Sequence, residues 1–179
     1  MKAQNTQAAS FQTAHSHALF LAQAAMIATL YMVLTFIANA LGMANHAIQV
    51  RFSEALTILP YFTPAAIPGL FIGCLLSNIL TGCALPDIIF GSLATLLGAL
   101  GTYALRRWKW FAPVCPIIAN TIIVPLILVY GYGLMIAGMS LLQCLGFYCL
   151  TVGIGEVISC GILGMILLTV LEKYKGRIF

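Results

Sequence analysis

Charge is scarce along this chain. Over the 155 residues from 18 to 172 only eight side chains are charged: Arg51, Glu54, Asp87, Arg106, Arg107, Lys109, Glu156 and Glu172. Charged residues make up 7% of the whole chain and hydrophobic ones 62%, against about 25% and 45–50% in soluble domains. A water-soluble monomer of this composition would leave its surface apolar, so the solvent for most of these side chains must be lipid. A bilayer span takes about 20 apolar residues, so the stretch holds at most about seven crossings. A disordered chain, a nucleic-acid-binding domain and a large extramembrane catalytic domain are excluded by the same scarcity.

Seven of the eight basic residues fall in three clusters: Lys2; Arg106, Arg107 and Lys109; and Lys173, Lys175 and Arg177. The positive-inside rule places all three on the cytoplasmic side, so an even number of crossings must separate each pair. Apolar helices are expected at about 18–40 and 87–105. The Pro-rich stretch between them breaks at Thr63-Pro64 into about 53–63 and 65–82, because proline cannot continue a helix. Two further helices, about 113–131 and 150–172, complete an all-α bundle of six transmembrane helices with both termini cytoplasmic. Residues 132–149 form a partly helical outer loop in this reading. The polar residues 1–17 and the basic 173–179 are expected as cytoplasmic tails, and the first helix is too long for a signal-peptide core and is expected to stay in the membrane.

No phosphate-cradling GxxxxGK[ST] motif occurs, since the four lysines follow Met1, Trp108, Glu172 and Tyr174, so no ATP motor lies in this chain. There is no HExxH, GxSxG or metal-binding Cys/His spacing, and the six cysteines read as small apolar side chains. Neither a cofactor, a metal nor catalysis is expected. Ion coupling lacks support, because the only strong helix interruption is at Pro60, Pro64 and Pro68, without a matching repeat.

An ionisable group in a membrane costs roughly 2.5–3.5 kcal/mol at mid-helix, so each is a candidate for function. In the six-helix reading, Arg51 and Glu54 open the second helix, Asp87 opens the fourth and Glu156 lies in the outer part of the sixth. All four converge at the outer end, where Asn78 and Asn120 add amides. Arg51 and Glu54, three apart, also suit a local ion pair, and Asp87 after Leu85-Pro86 suits a helix cap. Glu156 has neither excuse, which makes it the first choice. Small residues supply a second signal: Gly69 and Gly73 with Ser77 form one ridge for close helix packing. Ala24 with Ala28, and Ala25 with Thr29, form two more on the first helix.

Three runs carry a resemblance: 48–74 (IQVRFSEALTILPYFTPAAIPGLFIGC), 85–97 (LPDIIFGSLATLL) and 152–159 (VGIGEVIS). They resemble the QueT family, the substrate-binding S components of energy-coupling factor (ECF) transporters for queuosine precursors. The resemblance implies a six-helix protein of a bacterial plasma membrane that captures substrate outside. It would then dock against a transmembrane T subunit driven by two cytoplasmic ATPases. It further implies a lid at 41–49 and a docking face at Ala24/Ala28. The ligand class would be a 7-deazapurine such as preQ1 or queuine, whose adjacent N–H groups a carboxylate can accept. Glu156 would read the guanine edge, Asp87 or Glu54 would face an amine, and Arg51 would orient a carboxylate or close the lid. Phe52, Phe90, Tyr130 and Tyr148 are candidates for stacking on the base. The three carboxylates equally suit another vitamin-like or purine-like ligand. Two further readings remain: a membrane-embedded enzyme using Glu156 as acid or base, and a solitary facilitator working without ATPases.

Overall fold

The computed structural model describes the backbone of residues 2–42 and 50–174, with side chains from Ser16 onward. Five helices form an all-α bundle among them. They are α1 (Lys2–Ala40), α2 (Ala66–Leu80), α3 (Asp87–Ala104), α4 (Lys109–Gly131) and α5 (Leu141–Glu172). Four helices are long and apolar enough to cross a membrane: α3, α4, α5 and the Ser16–Ala40 part of α1. α2, at 15 residues, spans only about 22 Å of a hydrocarbon core about 30 Å thick.

Exposure in this bundle is inverted. Leu21, Met26, Ile72, Leu76, Leu97, Ile118, Ile122 and Ile166 face outward, whereas Ser53, Glu54, Thr57, Asn78, Thr95, Asn120, Glu156 and Ser159 are buried. Lipid is as apolar as leucine, so an outward apolar surface costs nothing there, and polar groups must find partners within the protein.

The centre of the bundle is a ten-residue 3-10 helix, Phe52–Tyr61, which is buried from Ser53 to Pro60. An α-helix was expected at about 53–63, and the tighter turn corrects it. Two local causes stand out. Pro60 lacks an N–H, and the Glu54 carbonyl accepts side-chain donors, the Thr57 hydroxyl (2.6 Å) and the Cys160 thiol (3.4 Å), which compete with α-helical pairing. The segment packs against α1, α2, α3 and the C-terminal half of α5, residues 157–172. Its Leu56, Ile58 and Leu59 join Tyr31, Leu70, Cys74 and Leu168 in the core.

Other boundaries also differ from the expected ones. The backbone of α1 is helical from Lys2 rather than from about 18. α5 begins at Leu141 instead of about 150 because Ser140 and Gln143 make a capping box: Gln143 N–H donates to Ser140 Oγ (3.4 Å) and Ser140 N–H to Gln143 Oε1 (2.8 Å). Most of the expected lid, 43–49, and the end of the basic tail, 175–179, lie outside the described residues.

Ala24 and Ala28 do not form an outward docking face. Both are buried against α2, where a Cβ on Gly69 would lie 2.7 Å from the Ala24 carbonyl oxygen and one on Gly73 would lie 2.9 Å from that of Ala28. The alanine and glycine ridges were made for each other, and only Ala25 and Thr29 of the expected face stay exposed. A Cβ on Gly73 would also lie 2.8 Å from Tyr31 Cβ. Gly73→Leu should therefore force α1 and α2 apart and lower stability by about 1–3 kcal/mol, the usual cost of overpacking. Gly146→Ala, with nothing within 4 Å of the added carbon, should leave it unchanged or slightly raised. Reversible unfolding in detergent micelles would measure both.

Candidate functional site

The polar residues singled out by sequence separate into two layers. Arg51, Asn78 and Asp87 line a cavity of about 390 Å3, together with Thr35 and Asn39 of α1 and Tyr132 just beyond α4. Glu54, Asn120 and Glu156 do not line it. They are at most 6% exposed and form a separate buried network.

In that network Glu54 receives a hydrogen bond from the Tyr31 hydroxyl on one carboxylate oxygen and from Asn120 Nδ2 (3.3 Å) on the other. Tyr31 comes from α1 and Asn120 from α4, so the contact ties three elements. Glu156 Oε2 accepts the Cys160 thiol (3.2 Å), one helical turn further along α5. One ligand atom each from Glu54, Glu156 and Cys160 falls within 4.8 Å of the others. The expected local pair between Arg51 and Glu54 is not made. Among the described residues the one ion pair closer than 4 Å joins Lys109 and Glu172, at the other end of the bundle.

The cavity has a different character. Asp87 is 5% exposed, and its carboxylate does not act as a helix cap. Its Oδ2 accepts the Tyr132 hydroxyl (3.2 Å), which itself accepts the Ala84 N–H (3.0 Å). Desolvation, and after it the charge of Asp87, push the Tyr132 phenol up to about 12 against the lowering effect of Ala84 N–H. The phenol therefore remains a donor to Asp87 at neutral pH. Asn78 Nδ2 donates to the Asp87 backbone carbonyl (3.3 Å) and fixes the start of α3. Among the described residues Asp87 Oδ1 is buried with no hydrogen-bond partner. Asp87 and Arg51 both belong to the lining of the cavity, and Oδ1 lies against Gly91; a carboxylate in such a wall can accept an N–H from a molecule that reaches it.

The local backbone helps aim these groups. Short π-helical stretches, Asp87–Gly91, Ile127–Gly131 and Val157–Leu163, begin at Asp87, end just before Tyr132 and follow Glu156. Such bulges often accompany functional sites.

Tyr31, Tyr132 and Cys160 carry no formal charge, so the cost of burying charge does not single them out in the sequence, although each bonds a carboxylate here. A tyrosine amid the apolar run of α1 is itself a signal, since a buried phenol needs a partner. None of the expected stacking residues Phe52, Phe90, Tyr130 and Tyr148 lines the cavity, and Phe90 and Tyr130 face outward.

The family model described as QueT transporter matches residues 21–173. The chain is 35% identical over 86 residues to the queuosine precursor transporter QueT of Lactococcus lactis subsp. cremoris (strain MG1363). That match covers 48% of this chain and 50% of the relative, so the chain spans about half the length of the curated protein it matches. No solved structure matches it significantly.

Tyr31→Phe would leave one oxygen of the buried Glu54 carboxylate without its donor. It should cost about 1.5–3 kcal/mol, the range for hydrogen bonds to charged groups. Unfolding of the variant in detergent, beside Tyr132→Phe at the cavity rim as the milder change, would check it.

Proposed function

The chain belongs to the QueT transporter family, and on that premise we propose that it is the substrate-capture subunit of an ECF-type importer for a queuosine precursor. The ligand would be a 7-deazaguanine such as preQ1, or queuine. The observation that carries this reading is that Asp87, whose buried Oδ1 has no partner among the described residues, lines a cavity together with Arg51. The cavity's size of about 390 Å3 falls at the small end of ligand pockets, roughly 300–1,000 Å3, and suits a single bicyclic heterocycle.

The two layers give the residues different roles in this proposal. Asp87 would accept the ring or aminomethyl N–H groups, Arg51 would donate to the ligand carbonyl, and Asn78 and Asn39 would add amide contacts. The first-choice contact thus moves from Glu156, which is outside the cavity lining, to Asp87. Glu54, Asn120 and Glu156 would hold the floor beneath it.

Six membrane segments with both termini cytoplasmic would orient the cavity outward. Phe52–Tyr61 and Ala66–Leu80, each too short to span alone, would be the second and third. The cavity gathers the last turns of α1, α2 and α4 and the first of α3, whereas Arg106, Arg107 and Lys109 lie between the other ends of α3 and α4. In a bacterial plasma membrane those basic residues would face the cytoplasm. Partners in transport would be a T subunit and two ATPases, consistent with the missing Walker lysine. With Ala24 and Ala28 turned inward, the exposed Ala25/Thr29 side of α1 is the docking face we propose.

Titration calorimetry with preQ1 on the purified protein tests the ligand assignment. Asp87→Asn should weaken binding about 10- to 150-fold, the equivalent of one charge-assisted hydrogen bond. Unchanged affinity would remove Asp87 from the site. For docking, Ala25→Leu should abolish co-purification with the T subunit and leave preQ1 affinity intact, whereas a variant that still assembles would redirect the search to another face.

A further inference from the structure

At the end of the bundle opposite the cavity, the chain turns from α3 into α4 through the sequence Arg106-Arg107-Trp108-Lys109-Trp110-Phe111. Three cations and three large rings share these six positions. Trp108, Trp110 and Phe111 are 62%, 73% and 53% exposed. Lys109 is committed, bridging to Glu172 at 3.1 Å and so fastening α4 to the end of α5. Arg106 and Arg107 are exposed and, among the described residues, have no carboxylate within 4 Å. The Arg106 guanidinium lies 4.3 Å from the centre of the Tyr103 ring, which holds it in place without neutralising it. Beside these groups is an open recess of about 450 Å3 lined by Tyr103, Ala104, Arg106, Arg107 and Trp108, with no acidic side chain.

We propose that this recess seats the phosphate of an anionic phospholipid headgroup, of the phosphatidylglycerol or cardiolipin kind. Guanidinium groups match phosphate with paired hydrogen bonds and stay charged at any relevant pH. The rings argue for lipid rather than a free anion. Indole and phenyl groups this exposed need an amphipathic neighbour, and tryptophan is enriched where headgroups meet acyl chains. The helices on both sides carry outward-facing Leu97, Leu100, Ile118 and Ile122, so acyl chains can run along them below the headgroup. Basic recesses between membrane helices recur as sites for anionic lipid. The proposal depends on the protein lying in a bilayer and not on the identity of its substrate.

Native mass spectrometry of the full chain, with phosphatidylglycerol and phosphatidylcholine offered in equal amounts, tests it. Phosphatidylglycerol should be retained preferentially. Arg106→Gln/Arg107→Gln should weaken its binding about 30-fold, at roughly 1 kcal/mol for each cation at a membrane surface. Phosphatidylcholine binding should be unchanged, and Trp108→Ala should weaken both lipids. Because both guanidinium groups are exposed, the double variant should melt like the parent protein in phosphatidylcholine, and Arg107→Gln alone serves if it does not. Equal retention of the two lipids would overturn the proposal, as would a preference the variants leave intact. So would full displacement of phosphatidylglycerol by equimolar inorganic phosphate, or loss of T-subunit assembly with lipid binding unchanged.

Discussion

A carboxylate has no place in a bilayer unless the protein surrounds it with donors, and Glu54 is the residue around which this bundle closes. It is 2% exposed, with Tyr31 of α1 and Asn120 of α4 donating to its two oxygens. The Cys160 thiol of α5 reaches the Glu54 carbonyl and the Glu156 carboxylate. Removing any of these donors leaves polar atoms that no solvent can reach. The network therefore selects one arrangement of helices in an environment where apolar contacts alone discriminate poorly, since lipid competes for them on equal terms. It also explains why the central segment is wound tightly. Phe52–Tyr61 must bring Glu54 to the axis while its own backbone is satisfied by Thr57 and Cys160 side chains.

With the centre fixed, the cavity follows. α1 and α2 approach closely because Gly69 and Gly73 lack side chains where the Ala24 and Ala28 carbonyls pass. That contact sets the distance between Thr35 and Asn39 on one side and Asn78 on the other. The Arg51 backbone N–H donates to Ser159 Oγ (3.2 Å), joining the entry of the 3-10 helix to α5. Tyr132 and Asn78 hold Asp87 from either side, one through its carboxylate and one through its backbone, leaving Oδ1 without a partner. Both oxygens of the Glu54 carboxylate have donors, whereas among the described residues Ser53 Oγ, Thr121 Oγ1 and Asp87 Oδ1 are buried without one. Of these three only Asp87 belongs to the cavity lining, and the proposed recognition role rests on that placement.

Composition and charge placement showed the membrane class, the helical fold and the residues worth suspecting, because an intramembrane charge is costly enough to need a reason. The division of those residues into two layers was not legible. It depends on which partners the fold brings together, Tyr31 and Asn120 to Glu54 and Cys160 to Glu156, which hydropathy does not reveal. The inward turn of Ala24 and Ala28 was hidden for a similar reason: a small-residue ridge announces close packing but does not name its partner. The early start of α5 was within reach, since Ser140 and Gln143 have capping-box spacing. The 3-10 winding was legible only in part: Pro60 and Thr57 are local signals, but the Cys160 thiol that also reaches the Glu54 carbonyl lies 106 positions away along the chain.

The most direct test of the central claim is the structure of this protein with preQ1 bound, solved in a lipid nanodisc. The account predicts the ligand in the cavity lined by Arg51 and Asp87, with a ligand nitrogen about 3 Å from Asp87 Oδ1 and the Glu54–Tyr31–Asn120 network unchanged beneath it. A ligand seated directly on Glu156, with Asp87 untouched, would contradict it.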